Sequence, residues 1–263
     1  MAAPTGATIF AYCERGRDPS FWAEPLNAIT NGGFILAALA GIVLVARRRS
    51  EERLLWHYFF ILNFIAIGIG SFLFHTLATP WSAAADTTPI GIFMLAYLVF
   101  AMRRFVGLPW FFTAAALAAF IAAANIAMQV QCWQGRFGIL DNVPPGARAT
   151  CLNGSLGYFP ALFTMWIVGF VLALRRHPAA WLILAAGATF AISLTFRSLD
   201  FTLCRDVMIL GYRAGTHWLW HLLNSLTLFL LLLAAIRYGV RRDATPHRRR
   251  ERSTRAEVEA LSR

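Results

Sequence analysis

The sequence predicts an all-α integral membrane bundle of seven transmembrane helices, with its N-terminus outside and its C-terminus inside. Three observations carry that expectation. The 263 residues are 58% hydrophobic, with a mean hydropathy of +0.57, whereas a soluble domain is about 45–50% apolar. The excess gathers in seven runs of roughly bilayer length. The arginines between those runs alternate from one side to the other.

The runs follow in order along the chain. They extend from about Pro25 to Ala46, Leu54 to His75, Ala83 to Met102, Pro109 to Met128, Tyr158 to Leu174, Ala179 to Phe196, and Gly215 to Ile236. One membrane domain, residues 1–240, accounts for the length, and residues 241–263 form a basic cytoplasmic tail expected to be disordered. The opening MAAPTGATIFAYCERGRD has no basic segment followed by an apolar core, so no cleavable signal peptide is expected.

Short basic connections mark one side: Arg47, Arg48, Arg49 and Arg53, then Arg103 and Arg104, then Arg175 and Arg176, then the tail. The positive-inside rule makes that side cytoplasmic. An outer N-terminus and an inner C-terminus require an odd number of spans, which seven satisfies. All 24 basic residues are arginine, giving a net charge of +11. That composition fits a GC-rich, bacterial genome, and hence an inner membrane with the outer side facing the periplasm. Because the arginines sit in short loops and the tail, they read as orientation signals and contacts to anionic lipid headgroups, not as a nucleic-acid surface.

Cys13, Cys132, Cys151 and Cys204 all fall on the outer side, which suggests two disulfides in an oxidising compartment. Three pairings are possible in principle. Cys132 and Cys151 share one loop, which leaves Cys13 with Cys204.

Three of the six histidines are candidates for chemistry. His75 ends the second run, and His217 and His221 form an H-x-x-x-H pair at the start of the seventh. A spacing of four puts that pair on one helix face. Ionisable residues inside a span are costly and are usually functional. With the orientation above, His75, His217 and His221 converge at the outer leaflet, together with Asp86 at the start of the third run and Ser71 one turn before His75. Three neutral imidazoles with one open position form the ligand set of a catalytic zinc site, although imidazoles also suit iron and manganese. The bland alternatives are interhelical hydrogen bonds for the histidines, a helix cap for Asp86 and close packing for Ser71. A haem-binding electron carrier is a further class that an H-x-x-x-H pair allows. His57, His177 and His247 read as structural.

At these residues the chain resembles the alkaline ceramidase family of seven-helix membrane hydrolases, which are related to the adiponectin receptors. The resemblance rests on G-x-G-S-x-x-F-H at Gly68 to His75, Asp86 followed by Pro89, Asp200-x-x-x-Cys204, and G-T-H-x-x-W-H at Gly215 to His221. A fifth block is Cys13-Glu14 followed by Glu24-x-x-Asn27-x-x-x-Asn31. The resemblance implies zinc on His75, His217 and His221, with Asp86 and Ser71 serving the chemistry. It implies an amide hydrolase acting on ceramide-like N-acyl sphingoid lipids drawn from the bilayer. It also implies a disulfide from the N-terminal segment to the loop before the seventh helix, which selects Cys13–Cys204. Trp220 either borders the substrate or anchors the membrane interface.

Some members of the family bind calcium near the N-terminus. Glu14 and Glu24 occupy matching places here, and Asp18 adds a third carboxylate. Tyr12, Arg15 and Gly16 depart from that pattern, and Asp86-Thr87-Thr88-Pro89 departs from the Asp-Glu that precedes the proline elsewhere. Two other functions are weighed beside ceramide hydrolysis. One is an amidase on another N-acyl lipid, such as an acylated amino-acid lipid. The other is a lipid-sensing receptor in which zinc is structural and the basic tail docks a partner.

Overall fold

A computed structural model describes residues 8–130 and 151–240. The tail and most of the loop around Cys132 lie outside the described residues, as do the side chain of Cys151 and hence any Cys132–Cys151 pairing. Among the described residues, seven helices are long and apolar enough to cross a membrane, so the chain is an all-α membrane bundle. The first span is built of α1 (Pro25–Thr30) and α2 (Gly32–Ala46), joined through Asn31. Then follow α3 (Leu55–Leu77), α4 (Pro80–Phe100), α5 (Trp110–Gln129), α6 (Phe159–Leu174), α7 (Ala180–Leu199) and α8 (His217–Tyr238).

Local chemistry explains where these helices begin. Pro25 stands in the first turn of α1 and Pro80 in the first turn of α4, where a missing N–H costs nothing. Thr79 caps α4: its hydroxyl accepts from the Ser82 N–H, and Ser82 Oγ accepts from the Thr79 N–H at 3.0 Å. The third span runs longer than its hydropathy suggests, from Pro80 to Val106, because a π-helical turn at Ala101–Val106 extends α4 past Met102. The fifth span starts early, at Leu152, because a short helical segment, Cys151–Tyr158, kinked by left-handed backbone at Leu152, Asn153 and Gly154, leads into α6.

The helices close a ring, each packing on the next in the order α2, α3, α4, α5, α6, α7, α8 and back to α2. α3 and α8 also touch each other and are the most buried spans. Phe60, Phe64, Phe93, Phe100 and Leu232 belong to a continuous apolar core within the bundle. The polar residues of α3, α4 and α8 gather towards the other end. His57, read as structural, is a packing residue: its Nδ1 accepts from the Leu54 N–H and its Nε2 meets the Ala235 carbonyl at 3.2 Å.

Between α7 and α8 the chain forms a small hairpin that periodicity did not suggest. β1 (Met208–Ile209) pairs antiparallel with β2 (Tyr212–Arg213). Its two-residue turn, Leu210-Gly211, takes positive φ at both positions, the mirror-image turn that suits strand twist. Cys13 is bonded to Cys204, with Cα atoms 5.5 Å apart, so the N-terminal segment is tied to this loop across 191 residues of sequence.

The contact that aligns α3 with α4 depends on a glycine and a proline. Pro89 has no N–H, so the Ala85 carbonyl lacks its helical donor. α3 comes closest at that point: a Cβ on Gly70 would stand 2.1 Å from Ala85 O. Gly70→Ala should therefore separate the helices and cost about 1–3 kcal/mol of stability. Gly91→Ala, where nothing lies within 4 Å of the added carbon, should leave the protein unchanged or stabilise it by about 0.5–1 kcal/mol. Thermal unfolding of the two variants in detergent checks both signs.

Candidate metal centre

Gly70 and Ala85 are neighbours of Ser71 and Asp86, so their close approach sets those two side chains against each other. The Ser71 hydroxyl stands within interaction range of the Asp86 carboxyl. Both residues are buried. His75 lies one turn beyond Ser71 on α3, and α8 begins with His217 and carries His221 one turn later. The three imidazoles each offer one nitrogen, all within 4.8 Å of one another, and all three are buried. Ring centroids are 5.2 Å apart for His75–His217 and 4.7 Å for both other pairs.

The hydrogen bonds around these rings determine which nitrogens face inward. His75 Nδ1 lies 2.6 Å from Glu24 Oε2, so its proton sits there and Nε2 presents a lone pair. His221 Nδ1 lies 3.0 Å from Thr30 Oγ1. That hydroxyl already places its one proton on the Leu26 carbonyl at 2.7 Å, so it accepts from His221 and leaves Nε2 free. His75 Nε2 and His217 Nδ1 are buried atoms with no partner at all. Buried polar atoms are normally satisfied, and two orphan imidazole nitrogens beside a third free one fit a metal such as zinc. Three neutral nitrogens suit it chemically.

The start of α8 is held by Asp200. Its Oδ1 accepts from the Thr216 N–H at 2.8 Å and the His217 N–H at 2.9 Å, and its Oδ2 accepts from the Cys13 N–H at 2.8 Å. Burial pushes the Asp200 carboxyl above its usual range, against the pull of those three donors. Gly215 allows this clamp: its φ is +57, and a Cβ there would meet Asp200 Oδ1 at 2.3 Å and Cys13 Cβ at 2.7 Å. Tyr12, beside Cys13, stacks on His217 with centroids 3.6 Å apart.

The acids expected to bind calcium do not converge on an empty place. Asp18 is exposed, and its carboxylate accepts from the Ser20 N–H at 2.8 Å. Glu14 accepts from the N–H groups of Leu26 and Asn27 at 2.7 and 2.9 Å. Burial pushes its carboxyl up to about 7, against those two hydrogen bonds. Glu24 is paired with Arg15 at 2.5 Å and with His75. Burial by itself would raise the Glu24 pKa, but the neighbouring His75 and hydrogen bonds from His75, Asn27 and Arg15 hold it below the usual range. The cation beside Glu24 is thus a guanidinium of the chain itself, so calcium gains no support.

Trp220 is 4% exposed and packs with Leu162, Phe190 and Leu194 in the interior, so it is no interfacial anchor. It lines an apolar cavity of about 70 Å³ between the helices, together with Ile67, Ile90, Phe93, Tyr158 and Asn224. Ile67 stands one turn below Ser71, Ile90 one turn beyond Asp86, and Asn224 three residues past His221. The cavity therefore begins directly beneath the cluster.

Sequence reasoning had not assigned a role to Thr30, Tyr12, Asp200 or Arg197. Arg197, near the end of α7, donates to the Asn153 carbonyl and to Ser155 Oγ. It also lies over the rings of Tyr158 and Trp220 at 5.4 and 5.5 Å. In the sequence it stands one residue past the sixth apolar run, where an arginine reads as a loop charge. Asn153 in turn donates its side-chain amide to the Arg197 carbonyl.

A search among curated proteins finds no match. A family model described as Ceramidase matches residues 8–256, nearly the whole chain and all of the cluster. With seven membrane helices and a buried three-histidine cluster in place, the chain is a hydrolase that belongs to the ceramidase family.

Proposed function

We propose that the protein is a zinc-dependent membrane amidase that cleaves ceramide-like N-acyl sphingoid lipids to a fatty acid and a sphingoid base. The observation that carries this reading is the pair of orphan nitrogens, His75 Nε2 and His217 Nδ1, set beside the free Nε2 of His221 and close to a buried carboxyl–hydroxyl pair. Zinc held by His75, His217 and His221 would supply a nucleophile at neutral pH, by lowering the pKa of its water to about 7, and would polarise a carbonyl.

The chain's own residues supply the rest. His75 is oriented by Glu24 and His221 by Thr30, so neither ring swings when substrate enters. The Asp86 carboxylate takes the proton of the attacking water and later returns it to the leaving amine nitrogen. The Ser71 hydroxyl turns from Asp86 to the carbonyl oxygen as negative charge develops. The acyl chain enters the apolar cavity beneath the cluster, and its aromatic and aliphatic wall excludes water. A buried carboxyl within electrostatic reach of His75 also argues against a purely structural metal in a lipid receptor, which needs no base.

In this reading the cluster faces outward, towards the periplasm of a bacterial inner membrane. The short arginine loops and the tail then face the cytoplasm and its anionic lipids. The cluster's place one or two turns from the helix ends suits an amide bond at the depth of the lipid interface.

A second reading, an amidase acting on an N-acyl amino-acid lipid, is favoured by Arg197. Among the described residues it forms no ion pair with a carboxylate, yet it stands beside Trp220 and Tyr158 at the top of the cavity. A guanidinium there suits a substrate carboxylate.

Elemental analysis of the purified protein should find about one zinc per chain, lost in His217→Ala; a chain without zinc, or an active His217→Ala protein, rules the mechanism out. Asp86→Asn should keep the metal and lose on the order of 10²–10⁴-fold in turnover. Ceramide and an N-acyl amino acid, compared as substrates, separate the two readings. Arg197→Gln should cost the acidic lipid about 10–100-fold in kcat/KM and ceramide far less.

A further inference from the structure

Behind the three histidines lies a second buried cluster, centred on a cation. Arg15 is 2% exposed. Its Nε donates to Glu24 Oε1 at 2.5 Å. One terminal nitrogen donates to the carbonyls of Asp18 and Ser20 at 3.2 and 3.0 Å. The other donates to the carbonyls of His75 and Thr76 at 2.8 and 3.4 Å. Those last two oxygens belong to the final turn of α3, where carbonyls lack helical donors and a cation is favoured. The second oxygen of Glu24 receives His75 Nδ1 at 2.6 Å and the Asn27 amide at 2.9 Å. Arg15 thus reaches His75 twice, at its backbone carbonyl and, through Glu24, at its ring.

We propose that Arg15 is a positioning residue for the metal centre: a built-in cation that holds Glu24 against His75 Nδ1 and so fixes the ring that presents Nε2. The inference rests on the metal reading above. A carboxylate buried without a counter-charge is strongly disfavoured. With Arg15 removed, Glu24 would lose the partner that holds it in place, and His75 would lose the hydrogen bond that orients its ring. Only a planar fork of donors reaches the carboxylate and two separate pairs of carbonyls at once; a lysine ammonium keeps the charge but not the fork. The bland alternative is that Arg15 merely staples the N-terminal loop to α3, which would change stability and leave the metal alone.

The experiment uses the full chain in detergent, with zinc alone and then cobalt alone as probes. Outer-shell partners of a ligating histidine are worth about 10–100-fold in metal affinity. Arg15→Gln should weaken zinc by that factor and shift the visible d–d bands of the cobalt-loaded protein. Arg15→Lys should recover part of the affinity. In a Glu24→Gln background the Arg15→Gln change should cost little more, about twofold or less, because the route through Glu24 is already broken. Wild-type zinc affinity and an unshifted cobalt spectrum in Arg15→Gln overturn the proposal, even if the melting temperature falls. If that variant does not fold, Arg15→Lys against wild type decides by the same two readouts. A wild-type chain that binds neither metal removes the metal centre and this inference with it. A wild-type chain that binds zinc but cleaves no N-acyl lipid fails only the enzymatic reading.

Discussion

Two imidazole nitrogens buried without a partner, His75 Nε2 and His217 Nδ1, set the terms for the polar end of this bundle. Inside a membrane protein a polar atom has no water to fall back on, and leaving it unpaired costs on the order of 1–3 kcal/mol. The amide oxygens of Asn27 and Asn31 are unpaired as well, but the two ring nitrogens are the ones that lie within the histidine cluster. Thr30, Glu24, Asp200 and Arg15 spend their hydrogen bonds on holding the histidines or the backbone that carries them.

That arrangement divides the bundle lengthwise. An aromatic core rigidifies α3, α4 and α8 away from the cluster, with Phe60 packed against Phe93, Tyr97 and Phe100. At the other end the same three helices carry chemistry. Between the two lies an apolar cavity that opens beneath the histidines and is walled by Trp220 and Phe93. A lipid with a polar linkage and a long tail matches such a gradient, polar groups meeting the cluster and methylenes the cavity. Rigid helices are a precise place to mount a hydrolytic site, since a misplacement of about 1 Å can cost on the order of 10²-fold in rate.

The N-terminal segment is part of the site. The Cys13–Cys204 bond ties it to the loop before α8, and the Asp200 carboxylate joins the same two pieces through the Cys13 and His217 N–H groups. Closing so long a loop contributes on the order of 2–5 kcal/mol by restricting the unfolded chain. Once docked, the segment sets Tyr12 on the face of His217 and Arg15 behind Glu24. The loop therefore serves both as a lid over α3 and α8 and as the source of the charge that balances Glu24.

The spans were legible because hydropathy and bilayer thickness are local properties: twenty or so apolar residues in a row declare a helix wherever their neighbours lie. The histidines and Asp86 were legible for the same reason, as polar residues where polarity is costly. Details at helix ends were not, since the π-helical turn after α4 and the kinked start of the fifth span depend on what packs there. Glu24 shows the limit most clearly. From the sequence it was an acid beside a proline and a candidate calcium ligand. The structure puts it between Arg15, nine residues away, and His75, 51 residues away. The sequence by itself determined how many helices cross the bilayer and which residue types could carry chemistry. Only the tertiary structure decided which nitrogen of each ring stays free and which carboxylate holds His75, because hydrogen-bond partners are chosen by proximity in space, and proximity across the bundle is not written in any local stretch of chain.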